Sequence, residues 1–132
     1  MRVLRVIKPG LFTTVQDLGR YGYLKYGVPV CGAMDPFSLV AANLLVDNNS
    51  NDACLETTLI GPELQALAKT QLAITGGKCS PRINDRSVPM WQTLTVEKGD
   101  YVSFGRMKTG CRAYISIRGA ISTPSILGRG PR

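Results

Sequence analysis

The residues best suited to chemistry near the start of the chain form one short polar run. Hydroxyl, amide, carboxylate and guanidinium groups follow one another closely at Thr13, Thr14, Gln16, Asp17 and Arg20. We predict that they form a hydrogen-bonding cluster, with the hydroxyls and the amide as substrate contacts. Asp17 and Arg20 are the catalytic candidates of this run. The alternative, equally weighted, is that these two form a charged pair that only pins the chain.

A second candidate site lies at the end of the same glycine- and proline-rich stretch, residues 9–35. A long excursion of this kind is often functional, since a compact β-domain does not need it for connectivity. Its last residues, Gly32, Ala33 and Asp35, lead into a predicted helix, whose free N–H groups attract carboxylates or phosphates. We predict that these three residues bind substrate. For Asp35 the competing role is simply to cap the helix, which an Asp-Pro start favours.

Glu56 is the third candidate, because it interrupts an apolar strand. Alternation places it on the same face as Cys54 and Thr58 and opposite Leu55 and Thr57. A carboxylate among such neighbours is a candidate general acid or base. The alternative is a salt bridge, either to Arg20 or to an arginine of the second half of the chain.

The rest of the chain must position these residues, and most of it has the pattern of short β-strands. The predicted strands are rich in β-branched and aromatic residues, and turn residues such as Asn84-Asp85 and Gly99 separate them. The predicted strands are Val3–Ile7, Thr13–Gln16, Ala53–Ile60, Leu64–Leu67, Gln71–Thr75, Trp91–Val96, Tyr101–Phe104 and Arg112–Ile117. So many strands at this spacing predict a mainly β fold, a closed barrel or a sandwich. Trp91 is expected to be a core or barrel-mouth aromatic.

One segment, residues 35–46, has the pattern of a helix. Asp35 supplies a cap, Pro36 fits the first helical position, and Asp47 begins a stop that tolerates left-handed backbone. Apolar residues recur at spacings of three and four, namely Phe37, Val40, Ala41, Leu44 and Leu45. We expect this stripe to cover the sheet.

Composition excludes several classes of chemistry. The 132 residues contain no histidine, so Ser-His-Asp and Cys-His catalysis and histidine metal ligands are absent. The four cysteines, at positions 31, 54, 79 and 111, include no CxxC pair, and we predict no metal site. The start of the chain lacks a signal-peptide pattern and no apolar run has membrane length, so we expect a cytoplasmic protein with reduced thiols and no membrane contact.

The net charge of +7 is unevenly distributed. Residues 1–66 carry five Lys/Arg and six Asp/Glu, whereas residues 67–132 carry eleven and three. Such asymmetry can mark a surface for an acidic partner. The bases are spread singly, however, with no basic run, which favours a solvated face and predicts no nucleic-acid partner.

At the same residues the sequence resembles a known family, the biotin-dependent carboxyltransferases, also called allophanate hydrolase subunit 2 or KipA. This family includes the C subunit of 5-oxoprolinase and part of urea carboxylase. The resemblance is dense over residues 8–62 and looser to residue 128. Its motifs are Lys8-Pro9-Gly10, Thr13-Thr14-Val15-Gln16-Asp17, Gly19-Arg20, Gly27-Val28-Pro29, Gly32-Ala33-Met34-Asp35, Ala42-Asn43-Leu44-Leu45-Val46, Leu55-Glu56 and Gly61-Pro62.

The resemblance implies a cyclophilin-like β-barrel with one main helix. Family members are usually more than twice this long, with two barrel-like halves. We therefore expect residues 1–127 to be one barrel domain corresponding to the N-terminal half, and residues 128–132 to be a frayed tail or a truncation point.

The resemblance also implies a function. The whole protein would be a subunit of an ATP-dependent amide or lactam hydrolase that opens 5-oxoproline to glutamate, or of a related carboxyltransferase that uses biotin. Its partners would be a KipI-like subunit 1 and, in 5-oxoprolinase, a LamB/YcsF-type subunit. Small amides or lactams would be the substrates. The alternative implied by KipA is a regulatory module without catalysis that binds and antagonises a kinase inhibitor.

Overall fold

The computed structural model describes residues 3–10, 13–16, 35–50, 52–107 and 112–119. These form ten strands and one helix. The elements are β1 (Leu4–Lys8), β2 (Thr14–Gln16), α1 (Pro36–Leu45), β3 (Cys54–Thr58), β4 (Glu63–Ala66), β5 (Thr70–Gly76), β6 (Pro81–Ile83), β7 (Arg86–Ser87), β8 (Thr93–Val96), β9 (Tyr101–Phe104) and β10 (Arg112–Ile117). The predicted mainly β fold with one main helix is confirmed.

The strands form two antiparallel sheets of five strands each. The first sheet has the order β1-β4-β9-β6-β7, and the second has the order β2-β3-β10-β5-β8. A cluster of fully buried aliphatic residues joins them, including Leu4 and Leu64 of the first sheet and Leu55, Ile74 and Ile115 of the second. The main hydrophobic core therefore lies between the sheets.

The second sheet is covered on both faces, because α1 packs against β5 and β10 on the side away from the core. Strand alternation divides its residues between the two faces. We call the face that carries Leu55, Ile74 and Ile115 the core side. We call the opposite face, which carries Cys54, Glu56, Thr75, Tyr114 and Ser116, the helix side. The predicted sidedness of Glu56 is confirmed.

Helix α1 begins and ends as its sequence predicts. The Oδ1 atom of Asp35 accepts a hydrogen bond from the Ser38 amide at 3.0 Å, and Pro36 follows at the first helical position. After the C-cap residue Val46, Asp47 adopts a left-handed φ of 61°. The capping role of Asp35 is thus confirmed.

The predicted buried stripe of α1 is wrong. Phe37 and Leu44 are 74% and 58% exposed, and the buried residues of the helix are Ser38, Leu39, Ala42 and Asn43. The reason lies in the sheet beneath, whose helix side carries buried polar atoms that require hydrogen-bond partners. The helix therefore turns Ser38 and Asn43 inward. Leu39 and Ala42 lie on the same face of the helix and are buried as well.

The region around Trp91 also differs from the prediction. Strand β8 begins at Thr93, and Trp91 is 40% exposed, with its ring centroid 6.0 Å from that of Phe37. The core alternative for Trp91 is therefore wrong, and the barrel-mouth alternative stays a prediction. The hairpin of β6 and β7 is not among the predicted strands, although its turn at Asn84-Asp85 is predicted. Both turn residues have positive φ, as a two-residue hairpin requires.

Candidate functional site

A row of polar side chains crosses four strands on the helix side of the second sheet. Thr14 of β2 pairs in register with Glu56 of β3, Glu56 pairs with Tyr114 of β10, and Tyr114 pairs with Thr75 of β5. Directly opposed residues of antiparallel strands project to the same face with close side chains. Register alone therefore places two hydroxyls, a carboxylate and a phenol next to one another. We call these four residues the polar row.

Glu56 is the charged residue of the polar row, and it is only 3% exposed. Its Oε1 atom accepts a hydrogen bond from Nη1 of Arg112 at 3.0 Å, and its Oε2 atom accepts one from the Tyr114 hydroxyl at 2.5 Å. A buried carboxylate is stable only with such partners, since desolvation otherwise costs several kcal/mol, on the order of 3 to 5 when one partner of a buried pair is removed. The salt-bridge alternative from the sequence is confirmed, with Arg112 as the arginine of the second half.

Tyr114 connects Glu56 to the start of helix α1. The backbone amide of Asp35 donates a hydrogen bond to the Tyr114 hydroxyl oxygen at 2.9 Å. A phenolic hydroxyl has one proton to donate, and here that proton points to Glu56. The Asp35 amide, the Tyr114 hydroxyl and the Glu56 carboxylate thus form a directional chain of hydrogen bonds.

Two further contacts attach the helix to the same face. The Thr75 hydroxyl donates to the backbone carbonyl of Ser38 at 2.7 Å, and the Ser116 hydroxyl donates to Oδ1 of Asn43 at 2.6 Å. All four of these residues are buried. The helix is therefore held by polar contacts at its first turn and again near its end.

Gly76 allows the backbone of β10 to approach closely beside Arg112. Its φ is +100°, and a Cβ atom there would lie 2.5 Å from the carbonyl oxygen of Arg112. A side chain at this position would push β5 away from the strand that carries Arg112 and Tyr114.

The structure separates some residues that the sequence grouped together. Thr14 lies beside Glu56, whereas the Thr13 hydroxyl lies 2.9 Å from that of Thr57, which belongs to the opposite face of β3 from Glu56. Gln16 ends β2 and pairs in register with Cys54. The remaining predicted site residues, Asp17, Arg20, Gly32 and Ala33, lie outside the described residues.

Sequence reasoning missed two members of the site, Arg112 and Tyr114. A signal was present in the run Arg112-Ala113-Tyr114-Ile115-Ser116, where polar and aliphatic residues alternate. Such alternation is typical of a strand with one solvated face. In the structure the polar face of β10 is instead buried beneath α1, which turns ordinary surface residues into partners for Glu56.

The described residues do not fit a phosphate at the helix start. The carboxylate of Asp35 already occupies the N-terminus of α1, so a phosphate would meet its negative charge there. Three described surface grooves, of about 500, 360 and 320 Å³, are lined by residues other than Glu56, Arg112 and Tyr114. None of these three grooves is lined by Glu56, and the described residues assign no catalytic step to ATP or biotin.

The remaining charges and thiols of the described part behave as ordinary surface and core groups. Lys69 and Arg118 face Glu97 and Asp47 at 3.9 and 4.0 Å in exposed pairs. Cys54 and Cys79 are buried thiols. Among the described residues no group of three or more Cys, Asp or Glu side chains is placed to hold a metal ion, and no helix has the length and apolarity to cross a membrane.

Comparison with known proteins gives consistent results. The chain is 41% identical over 124 residues to the urea amidolyase of Lachancea kluyveri, covering 93% of this chain and 7% of that protein. It is 36% identical over 126 residues to the C subunit of 5-oxoprolinase from Escherichia coli, covering 96% of this chain and 41% of that protein. The crystal structure of K. lactis urea amidolyase superposes with a TM-score of 0.80 at 43% identity, over 96% of this chain and 8% of that one.

The chain thus spans less than half the length of each of these relatives. The family model described as carboxyltransferase domain, subdomain A and B, matches residues 26–129, which is most of the chain and includes Asp35, Glu56, Arg112 and Tyr114. The resemblance inferred from the sequence motifs is confirmed: the chain belongs to the carboxyltransferase domain family, subdomain A and B.

Proposed function

We propose that this chain acts within an ATP-dependent amide or lactam hydrolase of the 5-oxoprolinase type, or within a related biotin-dependent carboxyltransferase, together with a KipI-like partner. The observation that carries the proposal is the likeness of more than nine-tenths of the chain to both the C subunit of a 5-oxoprolinase and a urea amidolyase. Each of these two protein names refers to a small molecule with an amide-type bond, 5-oxoproline or urea.

The polar row supports the proposal on chemical grounds. A small amide or lactam offers a carbonyl oxygen that accepts hydrogen bonds and an N–H that donates one. The site contains groups of both kinds, the Glu56 carboxylate and the Arg112 guanidinium, which bond each other at 3.0 Å in this structure. A substrate would use the remaining lone pairs and N–H groups of this pair. A carboxylate held in one orientation can act as a general base where a substrate proton comes within hydrogen-bond reach.

Reconstitution tests this function. The chain is co-expressed with its KipI-like partner, with and without a LamB/YcsF-type subunit, and each complex is assayed for loss of 5-oxoproline, urea or allophanate in the presence of ATP. We expect turnover of one of these substrates by a complete complex and none by the chain alone. A complete, stable complex that turns over none of the three contradicts the proposal, and it leaves the KipA-like regulatory function as the alternative to examine.

A further inference from the structure

The proposed reaction gives no role to Tyr114. It is fully buried, and its ring packs with Leu39, Ala42 and Cys54 in a small cluster between α1 and the second sheet. Apolar packing alone would be satisfied by phenylalanine. The buried hydroxyl needs hydrogen-bond partners, because burying it without them costs about 1 to 3 kcal/mol. Its partners therefore indicate what the hydroxyl does.

The hydroxyl joins two residues that the sequence pattern predicts separately for the site. It accepts a hydrogen bond from the Asp35 amide at 2.9 Å and donates one to Glu56 at 2.5 Å. Asp35 is the predicted substrate-binding residue at the helix start, and Glu56 is the candidate acid or base. Only one oxygen atom separates the backbone of the first from the carboxylate of the second.

A neighbouring hydrogen bond also fixes the start of α1. Thr75, the register partner of Tyr114, holds the carbonyl of Ser38, and Ser38 in turn donates its hydroxyl and its amide to the Asp35 carboxylate. Thr75 thus secures the first turn of α1 from one side and Tyr114 secures it from the other. Both the backbone and the side chain of Asp35 are fixed relative to the second sheet.

We propose that Tyr114 is a positioning residue of the amide site, which holds Asp35 at a set distance from Glu56. The inference rests on the proposed function for its catalytic part. Tyr114 itself need not touch the substrate. Its contribution is to keep the binding residue and the proton-transferring residue in one arrangement, since misplacement on the order of 1 Å costs about 100-fold in rate.

The test compares Tyr114→Phe with Ser116→Ala. Both substitutions remove one buried hydroxyl from β10 on the helix side, and each hydroxyl contacts α1 or its cap. They differ in location, because Ser116 holds Asn43 far from Asp35 along the helix. A purely structural role predicts similar changes in kcat/KM for the two variants, whereas a positioning role predicts a change in kcat/KM for Tyr114→Phe alone.

The first readout is hydrogen exchange at the Asp35 amide in the 132-residue chain. In the wild type we expect this amide to be protected, because it donates to a buried oxygen. Tyr114→Phe should accelerate its exchange about tenfold or more, as expected for the loss of one hydrogen bond. Ser116→Ala should leave it unchanged. An unprotected Asp35 amide in the wild type overturns the proposal without any variant, and equal acceleration in both variants also overturns it.

The second readout is the steady-state kinetics of the complete complex on its amide substrate. Tyr114→Phe should lower kcat/KM about tenfold or more, with kcat falling because Glu56 is misaligned with the bound substrate, while Ser116→Ala should change kcat/KM less than about twofold. Altered exchange with unchanged kcat/KM contradicts the positioning role. If the wild-type complex has no turnover, the proposed function fails and the positioning role fails with it, whereas the exchange experiment still decides whether the Tyr114 hydroxyl holds the Asp35 amide.

Discussion

Three strands of the second sheet, β3, β5 and β10, carry mostly apolar side chains on one face and mostly polar side chains on the other. On the core side, β3, β5 and β10 contribute Leu55, Leu72, Ile74, Ala113, Ile115 and Ile117 to one apolar cluster. On the helix side the same strands contribute Glu56, Thr75, Tyr114 and Ser116, all buried and all hydrogen-bonded. Burial is similar on both faces, so exposure to water does not explain the difference.

The contrast shows that apolar packing dominates one face of these strands and buried hydrogen bonds the other. Apolar burial stabilises the fold without needing exact geometry, at about 25 cal/mol per Å² of apolar area. A buried hydrogen bond adds only about 1 kcal/mol net, yet leaving one unmade costs more. The helix side therefore adds little to stability and fixes the relative positions of its groups closely, which is what a site requires.

The largest effect on stability is expected from the core side. Ile115→Ala should lower the free energy of unfolding by about 3 kcal/mol, because it opens a cavity in a fully buried cluster. Replacing the adjacent Ser116 with Ala should lower the free energy of unfolding by about 1 to 2 kcal/mol, since the substitution removes the hydroxyl that donates to the buried Asn43 and accepts from Asn48. Urea denaturation of the two variants measures both values. Equal losses, or a larger loss at Ser116, would show that the helix side carries as much of the stability as the core.

A smaller effect is expected from pH, at a thiol of the core cluster. Burial raises the pKa of Cys79 from its ordinary value of 9.0 to about 11. Below pH 9 the thiol is protonated in the folded and unfolded states alike, and its contribution to stability is complete. Between pH 9 and pH 11 the unfolded chain loses this proton and the folded chain keeps it, so stability falls, by roughly 2 kcal/mol at most.

Urea unfolding at pH 8, 9 and 10.5 measures this decline. Replacing Cys79 with Ala should flatten it, whereas replacing an exposed residue such as Ser87 should leave its slope as in the wild type. A Cys79→Ala chain that loses stability as steeply as the wild type would show that the buried thiol does not resist ionisation. The apolar character assigned to the core side would then be in doubt at that position.

Much of the fold follows from local sequence patterns. Alternation in Cys54-Leu55-Glu56-Thr57-Thr58 gave the correct strand and the correct face for Glu56, because side-chain direction in a strand depends only on backbone geometry. Asp35-Pro36 gave the helix start for a similar reason, since capping is a local interaction. The hairpin strands β6 and β7, of three and two residues, were missed because Pro-Arg-Ile and Arg-Ser show no run of β-branched or aromatic residues.

The site depended on information that no local pattern contains. Glu56, Arg112 and Tyr114 meet through the pairing of β3 with β10, which are more than fifty residues apart in sequence. The prediction of which face of α1 points inward was wrong for the same reason. Its apolar stripe predicted one orientation, and the buried polar atoms of the sheet require another.

The central claim is that Glu56 and its partners do chemistry as well as hold the helix. The most direct test is kcat/KM of the complete complex carrying Glu56→Gln, measured beside Ser116→Ala as a control for lost hydrogen bonding on the same face. Glutamine keeps the size of Glu56 and its ability to accept from Tyr114, but it cannot take up a proton. We predict that Glu56→Gln lowers kcat/KM by about 100-fold or more, with Ser116→Ala within about twofold of the wild type. A Glu56→Gln complex as active as the Ser116→Ala complex would contradict the account and leave Glu56 as a structural ion pair.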